Sequence, residues 1–340
     1  MTDLVSLTLS ELEQRFTPDF PKFRAKQVFE WLHVKQVRTF AEMSNIPAAM
    51  RKTLQEEYTI KSLTCVKRQV SKRQDTVKYL YGLCDGESVE SVHMTHKHGG
   101  SLCISSQVGC KMGCAFCASG ADGFVRNLTP SEMLLQLYET QRDGRKVDSI
   151  VIMGIGEPLD NFDNVMAFLE LLQSGQGMSL RHVSLSTCGL VPQIVRLAEL
   201  KLGLTLSVSL HAITDSERSA IMPINRKYGI DELLETCKNY FSATGRRISF
   251  EYALIDGVND SESHARQLAE LLSARMPAHA FHVNLIPVNA IGARFTRSDN
   301  AAVFAAVLEK LRVNTTVRRT MGADIDAACG QLRQGVFKEV

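Results

Sequence analysis

Three cysteines lie close together about a third of the way along the chain, and their type and spacing could hold a metal centre. Cys110, Cys114 and Cys117 form the pattern C-x3-C-x2-C, and a fourth thiol, Cys103, precedes them. A structural zinc site normally has four protein ligands, often from paired C-x2-C motifs. A cubane iron–sulfur cluster held by three cysteines leaves one iron open to another ligand. The spacing therefore favours a centre that does chemistry, with structural zinc as the alternative.

The overall composition is that of an ordinary globular protein. The chain has 340 residues, of which 44% are hydrophobic and 22% charged, and its net charge of +2 is too small to indicate a nucleic-acid partner by itself. The N-terminus resembles no signal peptide, and no apolar run reaches the length of a membrane span. Nine cysteines, an odd number, fit a reducing compartment better than a disulfide framework. We therefore expect a cytoplasmic protein with no membrane partner.

The first hundred residues divide into two predicted regions. Apolar residues recur at helical spacing through residues 1–60, which predicts a small helical domain. Residues 61–100 change to β-favouring runs around a turn, which predicts a β-hairpin extension or small sheet. Between Lys61 and Lys78 six basic residues stand against one acid, and Tyr79 and Tyr81 follow nearby. This segment is either a solvated charged face or a surface for RNA phosphates.

Residues 101–340 alternate short apolar runs with amphipathic helical segments. Six such runs are followed by a seventh strand-like run, NTTVRRT. The predicted strands are 101–107, 149–154, 183–189, 204–212, 248–257 and 282–289. This alternation predicts an α/β fold with a parallel sheet, and the number of units favours a partial (β/α)6 barrel over a doubly wound sheet.

Polar and glycine residues follow the predicted strands, where βα barrels carry their reactive groups. The cysteine loop follows the first strand, and Gly156 and Glu157 lie in the turn GIGEP after the second. That turn lacks the third glycine of a dinucleotide-binding motif, so it is either a tight turn or a place where backbone approaches a ligand. His211 ends the fourth strand, and taken alone it would more often be a core histidine.

A set of ordered motifs identifies the family that this chain resembles. C-x3-C-x2-C with an aromatic residue before the third cysteine, followed by GxGEP, resembles a radical S-adenosylmethionine (SAM) enzyme. More closely, the chain resembles the RlmN/Cfr family of RNA adenine methyltransferases. The matching segments span nearly the full length and are FRAKQVFEWL, CISSQVGC, GFVRNLTPSE, MGIGEPLDN, SLSTCG, SLHA, MPIN, GVND, HVNLIP and DIDAACGQL.

The resemblance implies a set of cofactor ligands. Cys110, Cys114 and Cys117 would hold a [4Fe–4S] cluster in a radical-SAM barrel, and SAM would bind the open iron. The residues implied for SAM binding are Gly156, Glu157, Ser186, Ser209, Leu210, His211 and Asn284. Adenine C2 is an electron-poor carbon that cannot attack a methyl sulfonium directly, so the family uses a radical derived from SAM.

The resemblance also implies three catalytic residues. Cys329 would carry the methyl group, and Cys103 would release the product by forming a transient disulfide with it. Glu90 corresponds to a family carboxylate that handles a proton. Two SAM molecules would be used per turnover. Taken alone, Cys329 would be interpreted as a buried structural thiol and Glu90 as a solvent-facing glutamate.

The implied substrates are adenine 2503 of 23S rRNA and adenine 37 of tRNA, methylated at C2. A stacked adenine could not reach a carrier inside a barrel, so the base must be unpaired or flipped out. We expect a flavodoxin- or ferredoxin-type electron donor and a monomer. Methylation at C8, as in the Cfr branch, is the alternative within the family, and a zinc-stabilised RNA-binding protein without catalysis is the alternative outside it. Cys188 stands where the family often has serine.

Overall fold

The N-terminal region forms a helical unit, as the sequence predicts. The structure is a computed structural model that describes residues 1–121, 123–287, 295–327 and 330–332. Thr8 begins the first helix with a capping box, because its side chain accepts a hydrogen bond from Glu11 N while the Glu11 carboxylate accepts one from Thr8 N. The helices are α1 (Leu9–Phe16), α2 (Phe23–His33) and α3 (Ala48–Glu57), and the short parallel strands β1 (Thr2–Asp3) and β2 (Tyr58–Thr59) bring the ends of the unit together.

The predicted hairpin is a run of antiparallel strands that extends the main sheet. Its strands are β3 (Thr64–Val70), β4 (Thr76–Gly82) and β5 (Ser88–His96), and β5 pairs with the first strand of the parallel region, β6 (Gly99–Cys103). Tyr79 and Tyr81 stack on each other and are fully buried on the inner face. Rings buried in this way cannot stack on a base, so they give no support to RNA binding by the basic segment.

The parallel strands follow one another across the sheet in chain order. After β6 come β9 (Ser149–Ile152), β10 (Val183–Thr187), β11 (Thr205–Ser209), β12 (Ile248–Leu254), β13 (Phe281–Pro287) and β14 (Thr315–Val317). A doubly wound sheet reverses its strand order midway, whereas a βα barrel does not. Within the described residues β14 pairs only with β13, and β6 is flanked by β5 and β9, so the curved sheet is open as a partial barrel is.

Helices connect the parallel strands and bury their apolar sides against the sheet. They are α4 (Pro130–Arg142), α5 (Phe162–Gln176), α6 (Val191–Glu199), α7 (Asp215–Ile221), α8 (Ile230–Thr244), α9 (Glu262–Arg275) and α10 (Ala301–Lys310). A small ribbon of β7 (Gln107–Gly109) and β8 (Phe124–Asn127) brackets the cysteine loop. Burial of each fully buried side chain, such as Leu206, Phe250 or Leu285, contributes about 1.5–3 kcal/mol of transfer free energy to the stability of the fold. Within the described ranges no helix is long and apolar enough to cross a membrane.

Candidate active site

The carboxyl ends of the parallel strands surround one large cavity. Its volume is about 970 Å³ when the open mouth is included. The turn after β9, the ends of β10 and β11, and the middle of β12 all contribute to its wall. The polar and cysteine residues that line it are Cys110, Cys114, Cys117, Ser119, Glu157, Ser186, Thr187, Cys188, Ser209, His211, Glu251 and Arg318. A cavity of this size and position is where a small-molecule cofactor is expected in a βα barrel.

The three cysteines of the C-x3-C-x2-C motif all lie at this cavity and are partly buried. Burial raises the pKa of Cys110 to about 11 and raises the pKa of Cys114 further. Neutral thiols are thus favoured in the metal-free protein, and a bound metal would reverse this preference because it deprotonates the thiols it coordinates.

The arrangement of the three thiols is compatible with a cubane cluster. No three Cys, His, Asp or Glu side chains of the described residues converge as ligands of one ion would. In a cubane each cysteine binds a different iron, so the three sulfur atoms lie around the cluster instead of around one point. Three thiols at the wall of an open cavity match that requirement, and the space in front of them leaves room for a ligand on the fourth iron.

The glycines of the GIGEP turn are required by packing against the segment after β6. A Cβ at Gly154 would lie 2.6 Å from the carbonyl oxygen of Ile104, and one at Gly156 would lie 2.5 Å from Gln107 Cβ. Gly156 also has a φ of 105°, which L side chains rarely adopt. The turn is therefore tightly packed, and because Gly154 and Gly156 also line the cavity, its backbone can lie close to a ligand as well.

Glu157 is buried, and its carboxylate is held by two backbone amides. Oε1 accepts from Leu159 N at 3.1 Å, and Oε2 accepts from Cys188 N at 2.8 Å. Burial raises the pKa of this carboxyl group, and the backbone hydrogen bond from Cys188 opposes the shift. Each carboxylate oxygen has a second acceptor position, so Glu157 can still accept a hydrogen bond from a ligand amino group in the cavity.

His211 lies at the cavity as a neutral side chain, and a hydrogen bond to one ring nitrogen shows which nitrogen carries the proton. Its Nδ1 accepts a hydrogen bond from Ala253 N at 2.9 Å, so Nε2 carries the proton and can donate. Burial lowers the pKa of His211 to about 3. The residue has a φ of 60°, and Phe116 of the cysteine loop packs edge-on against its ring. The ring is thus held rigidly beside the cysteine loop, and the loop's aromatic residue has a packing role.

Two residues expected at the cofactor do not line the cavity, and Glu251, which was not expected there, does. Leu210 is fully buried in the core, and Asn284 donates from Nδ2 to Oε2 of Glu251 at 2.7 Å. Glu251, on β12, is buried and faces the cavity, while Ser249 donates to its Oε1 at 2.9 Å. Burial raises its pKa, and the positive charge of Arg318 opposes that shift. An acid inside the apolar run ISFEYALIDG was the sequence signal for this residue.

Cys103 lies in a second cavity that adjoins the first. This cavity is lined by residues of β5, β6, β13 and the C-terminal segment, and Cys117, Met153, Gly154 and Arg318 line both cavities. Cys103 is directly opposite Val92 in the strand pair β5–β6 and packs with Ala327 and Leu332. The structure therefore places Cys103 outside the main cavity and against the C-terminal segment, with Cys117 at the boundary between the two cavities.

Cys329 lies outside the described residues, but the segments on both sides of it contact the site. Gly330 lines both cavities, and its carbonyl oxygen accepts from Ala118 N at 2.7 Å. Ser119 Oγ donates to Leu332 O at 2.7 Å. Two residues that follow Cys117 thus hold the chain just after position 329, which brings the C-terminal segment to the cysteine loop.

Glu90 is buried, contrary to the interpretation of this residue, taken alone, as solvent-facing. Its Oε1 lies 3.0 Å from Lys78 Nζ across the strand pair β4–β5. Lys78 also donates to the carbonyl oxygen of Asp326 at 3.2 Å. Glu90 and Cys103 lie on the same face of the sheet, because Val92 is opposite Cys103 and side chains two residues apart share a face. Lys78 therefore connects Glu90 to the C-terminal segment.

Comparison with known proteins agrees with this architecture. The sequence model of the Radical SAM superfamily matches residues 104–269, and that of the Ribosomal RNA large subunit methyltransferase N-terminal domain matches residues 2–60. A radical SAM methyltransferase from Sphaerobacter thermophilus has a crystal structure with a TM-score of 0.91 and 40% sequence identity, covering 98% of this chain and 99% of that one.

Two curated relatives extend over almost the whole chain. The probable dual-specificity RNA methyltransferase RlmN of Desulforamulus reducens is 50% identical over 98% of this chain and 96% of its own length. That of Lachnoclostridium phytofermentans, with the same descriptive name, is 49% identical over 98% of this chain and 94% of its own length. Because these relatives are 50% and 49% identical over almost the whole chain, the chain belongs to the RlmN family of radical SAM methyltransferases.

Proposed function

We propose that this protein methylates C2 of an unpaired adenine in RNA, namely adenine 2503 of 23S rRNA and adenine 37 of tRNA. The relatives' shared name, dual-specificity RNA methyltransferase, supports RNA as the substrate and supports two different RNA substrates. The observation that carries the proposal is the pair of adjoining cavities: one holds the three-cysteine loop, and the other holds Cys103 and the chain next to Cys329. Two chemically different thiol sites in contact are what a carrier mechanism requires.

Superfamily membership implies a [4Fe–4S] cluster and SAM, which together supply a carbon-centred radical when bound. Cys110, Cys114 and Cys117 would hold the cluster. Glu157, with its carboxylate fixed by two amides, would accept from the SAM amino group, and His211 would donate from Nε2. Ser186 and Ser209 line the same wall. Leu210 and Asn284 would act from behind it, since Leu210 is buried in the core and Asn284 holds Glu251.

The chain's own residues account for methyl transfer and release. The Cys329 sulfur would accept a methyl group from one SAM, and a second SAM would be consumed to remove a hydrogen atom from that methyl group. The resulting carbon radical would bond to adenine C2 and join protein and RNA, and the one unpaired electron of this adduct would be returned to the cluster. Glu90 would take the proton from adenine C2. The Cys103 thiolate would then attack the Cys329 sulfur, so that a disulfide forms, the S–C bond breaks and the released carbon takes up a proton to become the methyl group. External thiol reductant then restores both cysteines.

The surface for RNA is best sought on the outer side of the β3–β4 ribbon. Lys67, Lys72 and Arg73 are exposed on this ribbon. Lys78 is excluded because it is buried against Glu90, and Lys61 lies 3.6 Å from the carboxylate of Glu132. Arg68 is opposite Tyr79 and pairs with Asp143 at 2.9 Å. The solvated and the RNA-binding interpretation of this segment both remain, now for these three exposed cations instead of six.

Mass spectrometry of RNA from cells with and without the protein tests the reaction. We expect 2-methyladenosine in 23S rRNA and tRNA only when the protein is present. A product methylated at C8 would replace the C2 assignment with the Cfr-type alternative. Zinc without iron or sulfide, after anaerobic reconstitution, would refute the enzymatic function and favour an RNA-binding protein.

Two cysteine variants separate carrier from release chemistry. Cys329→Ala should abolish methylated product while the iron content stays unchanged, because the carrier is not a cluster ligand. Cys103→Ala should trap a protein–RNA adduct, visible as an RNA-dependent increase in protein mass. Cys237→Ala, buried on α8 away from both cavities, is the control and should retain product formation. Normal product from the Cys329 variant would refute the carrier role.

A further inference from the structure

A fully buried arginine lies behind the cysteine loop and has no anionic partner among its hydrogen-bond acceptors. Arg218, on α7, has no exposed surface. Its guanidinium donates to the carbonyl oxygens of Cys188 at 2.7 Å, Ser209 at 2.8 Å and Leu210 at 3.1 Å, and to Asn225 Oδ1 at 3.0 Å. All four acceptors are neutral. The side chain therefore joins the ends of β10 and β11 without having its charge balanced.

No carboxylate oxygen in the described ranges lies within 4.0 Å of a nitrogen of Arg218, although seventeen ion pairs of this kind occur elsewhere in the described structure. A buried charge normally has a partner, because removing an ion from water without one costs several kcal/mol. Arginine stays protonated even then. The balancing charge must therefore come from another part of the site.

The cysteine loop is the part of the site in direct contact with α7. Ala115 N, next to Cys114, donates to the carbonyl oxygen of Ile221 at 2.9 Å. Cys114 and Phe116 pack against the apolar group that contains Ile221, Met222 and Cys188. The helix that carries the buried cation is thus hydrogen-bonded to the loop that carries the thiols.

The electrostatics agree with this geometry. Burial lowers the pKa of Arg218, which reflects the cost of keeping its charge in the protein interior. Asp215 is engaged by Asn225 Nδ2 and by Ile230 N. His211 is neutral and adds no negative charge. The thiols of the cysteine loop are neutral in the metal-free protein and become anionic only when a metal binds them, so a bound cluster would bring the balancing charge.

We propose that Arg218 is the counter-charge of the iron–sulfur cluster, and that it raises the cluster's reduction potential. A cubane with three thiolates is anionic, and one-electron reduction adds a further negative charge. A fixed cation in a low-dielectric interior favours that reduced state. Arg218 is a positioning and electrostatic residue that does not touch the reacting atoms. The inference rests on the cluster assignment of the proposed function and is independent of the RNA substrate.

The test is the midpoint potential of the reconstituted cluster in full-length Arg218→Gln and Arg218→Lys proteins. Dithionite supplies the single electron through mediators, no bond in the protein is made or broken, and the reduced fraction is read by electron paramagnetic resonance. Arg218→Gln should lower the equilibrium constant for reduction at least tenfold, which corresponds to about 59 mV for a one-electron couple. Arg218→Lys keeps the charge and should stay closer to the unsubstituted protein.

A matched arginine at the other end of the same strand provides the control. Arg246 donates to the carbonyl oxygen of Leu204 at 3.3 Å, just before β11 begins, whereas Arg218 binds the carbonyls where β11 ends. Arg246→Gln should leave the potential unchanged. An equal fall for the Gln and Lys variants of Arg218 would show that its hydrogen bonds matter and its charge does not, which would overturn the proposal.

A second variant keeps the proposal testable if Arg218→Gln does not fold. Exchanging two neighbouring side chains, Asp215→Asn together with Asn225→Asp, would give the guanidinium a carboxylate partner and keep an amide–carboxylate pair between positions 215 and 225, so it should lower the potential while Arg218 is retained. An unchanged potential in that variant would count against the proposal. Failure of the unsubstituted protein to assemble any cluster would refute the proposed function itself, whereas a normal cluster with unshifted variants would refute only this inference.

Discussion

Single residues at the cavity show why several sequence signals had two interpretations. A buried glutamate or histidine in a strand is compatible with core or with site, and the distinction depends on what its polar atoms contact. Glu157 and His211 each have backbone partners on one side and the cavity on the other. Asn284 lies within β13, and its side-chain amide donates a hydrogen bond to Glu251. The direction in which each polar atom points therefore distinguishes residues that can contact a ligand from residues that hold such residues in place.

At the residue scale, replacing Gly156 by alanine should destabilise the metal-free fold. The new Cβ would lie 2.5 Å from Gln107 Cβ at a φ of 105°. Strain and crowding together predict a loss of about 2–4 kcal/mol in the free energy of unfolding, measured by urea denaturation. Gly177, at the end of α5, has a positive φ of 66° but nothing within 4 Å of the Cβ position. Gly177→Ala should cost about 1 kcal/mol, and an equal loss in both variants would remove the argument from close packing.

At the scale of elements, the antiparallel extension holds the C-terminal segment. Lys78 on β4 donates to Asp326 O, and Lys72 N donates to the Asp324 carboxylate at 2.8 Å. The cysteine loop holds the same segment from the other side through Ala118 and Ser119. Two elements that are distant in sequence thus fix the chain on either side of position 329. This arrangement explains why a carrier residue can be far from the cysteine motif in sequence.

Lys78→Met should loosen this segment and leave the Glu90 carboxylate buried without its cation. We expect faster hydrogen–deuterium exchange in peptides covering residues 315–327, together with a lower free energy of unfolding, by about 3 kcal/mol, because one partner of a buried ion pair is lost. Lys67→Met, on the exposed face of β3, is the control and should change neither quantity. Unchanged exchange in the Lys78 variant would contradict the tethering role.

At the scale of the whole molecule, the helical unit is joined to the barrel by buried polar contacts. His33 of α2 lies 2.9 Å from Tyr138 Oη of α4, and Gly175 of α5 leaves the space that the His33 side chain occupies. Arg38 forms an ion pair with Glu139 at 2.5 Å. Burial lowers the pKa of His33 to about 3. The junction therefore requires neutral histidine.

This junction should make the stability of the metal-free protein depend on pH. The folded-state pKa of His33 lies below its unfolded value of about 6.5. The contribution of neutral His33 to the free energy of unfolding is therefore fully present above pH 6.5 and is lost as the pH falls toward 3. Each such histidine contributes about 1.4 kcal/mol per pH unit in this range. Between pH 6.5 and 5, His33→Gln should reduce the slope of the free energy of unfolding against pH by about that amount. His98→Gln, at an exposed residue, should leave the slope unchanged. Parallel profiles for the His33 variant would contradict the prediction.

The sequence by itself determined the fold class and the family, because hydrophobic periodicity and the short-range spacing of motifs are local properties. It also named several residues that line the cavity, but it did not show which other polar groups join them. Glu251 lines the cavity and Arg218 lies buried behind the cysteine loop, and only packing decides that Leu210 lies in the core and that Tyr79 and Tyr81 are buried. Only the tertiary structure placed Cys103 against the C-terminal segment and connected Lys78, Glu90 and that segment, since those contacts join residues up to 248 positions apart.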